Sequence, residues 1–291
     1  MPKLPPYFLF VCLLASFSLL GQRTDSLGFT RPASPERIHA VNPWVSVPLG
    51  LGVGYVVARR ADLIRDKGTI DLERIENLDR NDVPAIDRWA LDLDIDNRSK
   101  GLLLSDYMQN LGQSLPLGLF IWKKYRKRWL DIGLMYFEAQ TLQGLIYGYS
   151  PWGPGGTDRL RPFTYYDEID MDRRRVGNEQ NSQYSGHVST TTTGFFFVAK
   201  IIDDFNPDLS GGQRALLYTG ALIPSVFSGY LRVRALKHFP TDSALGLAMG
   251  AFSGVIVPEL HRWWAARHRT SLVATPVHGN GATGLALSLR F

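Results

Sequence analysis

The chain has 291 residues, 45% of them apolar, with 32 Lys plus Arg against 27 Asp plus Glu, 28 Gly, 17 Pro and one Cys. That composition suffices for a packed core and excludes a disordered chain, a collagen and a disulfide scaffold. The net charge of +5 is spread over short basic clusters broken by acids, so nucleic acid is not an expected partner.

The N-terminus carries Lys3, an apolar run from Tyr7 to Leu20 and a small-residue exit at Gly21. The run is too short to span a bilayer comfortably and fits the core of a secretory signal, which we place at residues 1–22. The only cysteine, Cys12, lies inside it, so the exported chain would have no thiol catalysis, disulfide or thiolate metal site. Residues 23–100 read as an N-terminal arm and connector. Within them, residues 40–58 are free of charge, but Pro43, Pro48, Gly50, Gly52 and Gly54 weaken the stretch as a helix. These glycines lack the strand and the third glycine of a dinucleotide fingerprint and are read as close backbone packing. Residues 59–98 mix acids and bases and read as a solvated helix-and-loop connector.

From residue 101 the texture changes. Apolar segments of helical length, at 102–122, 129–149, 188–202, 214–231 and 243–258, alternate with short charged loops. Their Gly, Ala, Ser and Thr content suits closely packed helices, and strand-like alternation is absent. The expected fold class is therefore all-α, a helical bundle over residues 101–266. The uncharged stretches run about 12 to 19 residues, at or below the roughly 20 that span a bilayer, and Asp131 and Glu138 interrupt the second. Two architectures fit: a spanning bundle whose basic loops, such as Lys123 to Arg128, face the cytoplasm, and a compact exported bundle with basic surface loops. Residues 267–291 alternate around a Gly- and Asn-containing turn and predict a β-hairpin that caps the helices.

Three short blocks stand in the loops between the helical segments: Arg159-Leu160-Arg161-Pro162; Tyr184-Ser185-Gly186-His187; and Arg232 with His238 and Asp242. Singly each is weak, since Ser-Gly-His often only caps a helix and a His with an acid four residues on is often a surface pair. Jointly they describe one chemistry. Pro240 suits the first turn of a helix that begins just after His238, so Asp242 could reach back, fix one ring nitrogen of His238 and leave the other free to attack. Ser185, Gly186 and His187 precede a helical run, and backbone N–H groups at a helix start favour an anion. Gly186 would let the backbone approach a phosphate, Ser185 would add a donor and His187 a proton. Arg161 and Arg232 have the planar fork that binds phosphate oxygens at two points. The remaining histidines, His39, His261, His268 and His278, read as loop or surface residues, and no metal-ligand spacing appears.

Taken together, the blocks resemble the type 2 phosphatidic acid phosphatase family, whose helical fold is shared with vanadium haloperoxidases. The family pattern is Lys, six residues, Arg-Pro; then Pro-Ser-Gly-His; then Ser-Arg, five residues, His, three residues, Asp. Arg161-Pro162, Ser185-Gly186-His187 and Arg232, His238, Asp242 match it here, and the likeness covers about residues 102–264. It implies a catalytic domain over residues 101–266 that needs no cofactor. His238 would be the nucleophile that becomes a phosphohistidine, with Asp242 its partner and His187 the acid for the leaving oxygen. Arg161, Ser185, Gly186 and Arg232 would cradle the phosphate. The chain departs from the pattern at Pro154, where the Lys belongs, at Tyr184 in place of Pro and at Leu231 in place of Ser. Arg159 is the nearest candidate to replace the missing charge. The resemblance thus implies a metal-independent, membrane-associated phosphatase of the cell envelope. Its substrate would be a phosphomonoester or pyrophosphate, on a lipid or a small phosphoester. The alternatives are a vanadate-dependent haloperoxidase and a catalytically degenerate envelope binding protein.

Overall fold

The computed structural model describes residues 38–267 and the backbone of two strands at 271–279 and 282–290. The signal reading of residues 1–22 and most of the arm lie outside the described residues. Among the described residues six long helices make the fold: α1 (Pro43–Arg65), α2 (Arg98–Gly118), α3 (Trp129–Tyr149), α4 (Gly186–Phe205), α5 (Gly211–Arg234) and α6 (Pro240–Arg267). Two antiparallel strands follow, β1 (Ser271–Gly279) and β2 (Ala282–Arg290), paired in register from Ser271 with Arg290 to Gly279 with Ala282.

α2 to α6 correspond to the five predicted segments. α3 keeps its predicted bounds, whereas α6 runs through Pro258 to Arg267. α1 corrects the sequence reading, which had discounted a helix there. Asn42 caps it by accepting from Trp44 N, and Pro43 occupies the first turn, where a missing N–H costs nothing. Packing on α3 then overrides weak propensity. A Cβ on Gly50 would lie 2.5 Å from the Phe137 ring, so this glycine is the close contact, while Gly52 faces open space. The connector is corrected as well. It is not merely solvated, because Ile70, Ile75, Val83, Asp87, Ala90 and Leu91 are buried.

α4 is the central helix and packs against α6, α2, α5 and α3. Small residues let it approach its neighbours at backbone distance: a Cβ on Gly112 of α2 would sit 2.8 Å from the Thr191 Cα of α4. Two of the threonine hydroxyls that this packing buries are satisfied locally, Thr191 donating to His187 O at 2.7 Å and Thr193 to Ser189 O at 2.8 Å, whereas Thr192 Oγ1 finds no partner among the described residues. The C-terminal half of α4 contributes Phe197, Ile201 and Phe205 to the main apolar core with Ile132, Met135, Ala139 and Val257. Its N-terminus opens at the opposite end, among the motif residues.

His39 lies in a loop, as expected, but is buried, and His261 is buried, contrary to the surface reading. His39 pairs with Asp204 at 2.9 Å; His261 pairs with Glu138 at 2.6 Å and with Ala40 O at 2.7 Å. These contacts tie the start of the described chain to α3, α4 and α6.

Candidate active site

The third motif block lies on the reversal between α5 and α6. α5 ends at Arg234 with Ala235 as its cap, and Leu236 adopts φ 54°, the left-handed region in which glycine usually terminates a helix. Leu236 tolerates it because its side chain is fully buried with Phe163 and Ile169 and its carbonyl accepts from Phe163 N at 3.1 Å. Strain held by packing in this way is common at functional sites. The turn delivers Lys237 and His238 between the two helices.

His238 is 2% exposed, and its Nδ1 lies 2.6 Å from the carbonyl oxygen of Ser182. A carbonyl only accepts, so Nδ1 carries the proton and Nε2 keeps the lone pair. The free nitrogen is the one a nucleophile needs, but the group that fixes it differs from the expectation. Asp242 does not meet His238. Its Oδ2 accepts from Ser182 Oγ at 2.6 Å and Phe239 N at 2.9 Å, and its Oδ1 from Arg159 at 2.6 Å. In the first turn of α6 the carboxylate is taken up as a cap for Phe239 N, so it reaches His238 only through Ser182.

Arg159 also corrects the sequence reading. Rather than replacing the missing lysine, its guanidinium bridges Asp242 and Asp87, at 2.6 and 2.7 Å, reaches Thr241 Oγ1 at 3.0 Å and lies over the Phe239 ring. Asp87, from the connector, is fully buried and also accepts from Thr241 N at 2.9 Å. Burial pulls the Arg159 pKa down, but Asp242 and Asp87 outweigh it and raise it overall.

Ser185 caps α4: its Oγ accepts from Val188 N at 3.4 Å, and its own N–H donates to Asp242 O at 3.1 Å. The hydroxyl proton remains as a donor. A Cβ on Gly186 would lie 3.0 Å from the Tyr147 ring, a contact the ring could accept only by shifting. His187 follows, with Nε2 3.1 Å from Asp106 Oδ1 of α2. The same oxygen is 3.8 Å from Arg232 Nη1, which also contacts Ser105 Oγ at 3.2 Å. Arg161 and Arg232 are 7% and 4% exposed, and both are sparsely paired. The Arg161 guanidinium makes only long contacts among the described residues, at 3.4 Å to Asn181 O and 3.5 Å to Glu179, and Arg232 Nε has no partner among them. Buried guanidinium groups so poorly satisfied are suited to an anion.

The structure therefore brings Arg161, Arg232, His187 and His238 within mutual electrostatic reach. Burial, then Arg232 and Arg161, hold His238 well below the ordinary imidazole range, so it is neutral at physiological pH. Burial, Arg232, Arg161 and Lys237 lower His187 to about 3. A phosphate dianion beside these cations reverses the sign of the field at His187. We expect saturating inorganic phosphate to raise the His187 pKa by several units, toward neutrality, as followed by 15N shifts of its ring. An unmoved titration would place His187 outside the anion site.

Sequence reasoning missed Ser182, Asp87, Asp106, Glu179 and Lys237. Lys237 had one signal, adjacency to His238; Asp87 and Asp106 had none, because they arrive from segments remote in the chain. Residues 132–266 match the family model of the PAP2 superfamily. No curated protein and no solved structure matches the chain. The matched span carries all three motif blocks and supports phosphatase activity at the coarse level, while Asp87, Ser105 and Asp106 lie outside it. With its helical frame and these motifs on one continuous span, this part of the chain is similar to the PAP2 superfamily.

Proposed function

We propose that the protein is a metal-independent phosphatase of the cell envelope that hydrolyses a phosphomonoester or pyrophosphate carried on a lipid, through a phosphohistidine at His238. The observation that carries this reading is the Nδ1–H of His238 held on Ser182 O, with Nε2 free beside two under-paired arginines.

The steps follow from those groups. Nε2 of His238 attacks phosphorus while the bond from phosphorus to the leaving oxygen breaks, and protonated His187 gives that oxygen its proton. Arg161 and Arg232 stabilise the charge that builds on the phosphoryl oxygens. Neutral His187 then takes a proton from water as the water oxygen attacks phosphorus. The N–P bond breaks, and inorganic phosphate leaves with His238 regenerated.

A lipid substrate is supported by the surface next to the site. α2 and α5, which pack together, leave Leu103, Tyr107, Leu111, Ile223, Phe227 and Tyr230 exposed, large apolar side chains of the kind that line membrane contacts. α6 is long and apolar enough to cross a membrane, with 39% of its apolar window buried inside the protein. The test is phosphate release, in EDTA, from phosphatidate, phosphatidylglycerophosphate, undecaprenyl pyrophosphate and p-nitrophenyl phosphate. Release faster from a lipid than from the nitrophenyl ester is expected; no release from any of them would refute the reading.

A further inference from the structure

Lys237 belongs to no motif block, yet the fold aims it with care. Its N–H donates to Arg232 O at 3.2 Å, and the preceding residue is the buried, left-handed Leu236, so its backbone is fixed on both sides. Its ammonium lies 3.0 Å from Glu179 Oε1, while Glu179 Oε2 lies 3.5 Å from Arg161 Nη1. One buried carboxylate thus faces two cations and can neutralise only one. Arg232 adds a third, and its nearest acid, Asp106, is 58% exposed and shared with His187. A buried surplus of positive charge is costly until an anion offsets it. Two other sources of this charge are ruled out by position: residue 154 is a proline, and Arg159 is occupied by Asp87 and Asp242.

We propose that Lys237 is a phosphate-binding residue, the third cation of the site, held ready by Glu179. The proposal rests on the phosphatase reading and extends it to the pH range in which the site binds its substrate. The groups facing the ammonium are Glu179, Arg161, Arg98 at the start of α2 and His187 of α4, with the Phe163 ring beside it. Burial, then Arg161, lower Lys237 to about 8, with Glu179 opposing and Arg98 adding to the fall. Arg232, lowered to about 10, stays charged below that. The ammonium is therefore charged below about pH 8, and the third charge is lost as pH rises through that value.

The experiment is calorimetric binding of inorganic phosphate, with KM and kcat for p-nitrophenyl phosphate, from pH 6.5 to 9.5. The full chain is compared with Lys237→Met, Lys237→Arg and Glu179→Gln. Wild-type affinity for phosphate is expected to fall roughly 10- to 100-fold above pH 8, the worth of one charge-assisted contact. Lys237→Met should show that loss already at pH 7, without an alkaline break, and with the loss on KM more than on kcat. Lys237→Arg should bind without the break, and Glu179→Gln should move it to lower pH.

A purely structural Lys237–Glu179 pair predicts lower thermal stability in Lys237→Met but wild-type affinity and an unmoved break; that result overturns the proposal. If Lys237→Met does not fold, persistence of the break in Lys237→Arg overturns it equally. Wild type that neither binds phosphate nor releases it refutes the phosphatase reading itself, whereas a wild type that does both leaves Lys237 alone on trial.

Discussion

Replacing His238 by Ala is expected to reduce phosphate release by about a thousandfold or more, the scale on which removal of a nucleophile is felt. The ring is buried, and its one proton is committed to Ser182 O, so no neighbouring group can take over attack from the same place. His187, the nearest imidazole, is positioned by Asp106 on a different helix. Circular dichroism must accompany the assay, because the substitution also leaves the Ser182 carbonyl without its donor. Asp242→Asn is expected to lose less activity than His238→Ala, since Asp242 acts on the ring only through Ser182. Equal losses would mean that the carboxylate takes part in the chemistry directly.

The second large effect is on stability. Arg159→Met is expected to destabilise the protein by about 3–5 kcal/mol, the range for removing one partner of a buried ion pair. Asp87 and Asp242 are almost completely buried, and among the described residues Arg159 is the one cation paired with both. Its removal leaves two carboxylates facing each other in the protein interior. Chemical denaturation measures the loss, and Asp87→Asn in the same chain should recover part of it by removing one of the two charges. Phosphate affinity of the folded Arg159→Met protein should remain near wild type. A stable variant with a strongly raised KM would instead return Arg159 to the phosphate cradle.

The sequence carried the helical frame and the spacing of the motif blocks, because both are local signals. α3 is bounded by residues whose hydropathy alone marks them, and Arg232, His238 and Asp242 sit on one helix–turn–helix whose geometry follows from Pro240 and the end of α5. What the sequence hid is what depends on distant partners. α1 forms because Gly50 meets Phe137 across nearly 90 positions, and no local propensity reports that. Asp242 was assigned to His238 on a four-residue spacing that permits the contact, yet Phe239 N, Ser182 and Arg159 compete for the same carboxylate and win. Arg159 looked like a substitute cation for the same reason: its two acids, Asp87 and Asp242, come from either side of it in the chain, about 70 and 80 residues away. Leu236 gave no warning either, since left-handed backbone at a leucine is sustained only by the packing of Phe163 and Ile169.

The covalent step at His238 decides the account most directly. The full chain should be mixed with a 32P-labelled member of the substrate panel that it turns over, quenched in alkali within a single turnover and mapped by proteolysis. The account predicts an acid-labile, alkali-stable label on the peptide containing His238, absent from His238→Ala. Turnover with no label at any quench time, or a label that survives in His238→Ala, would contradict it.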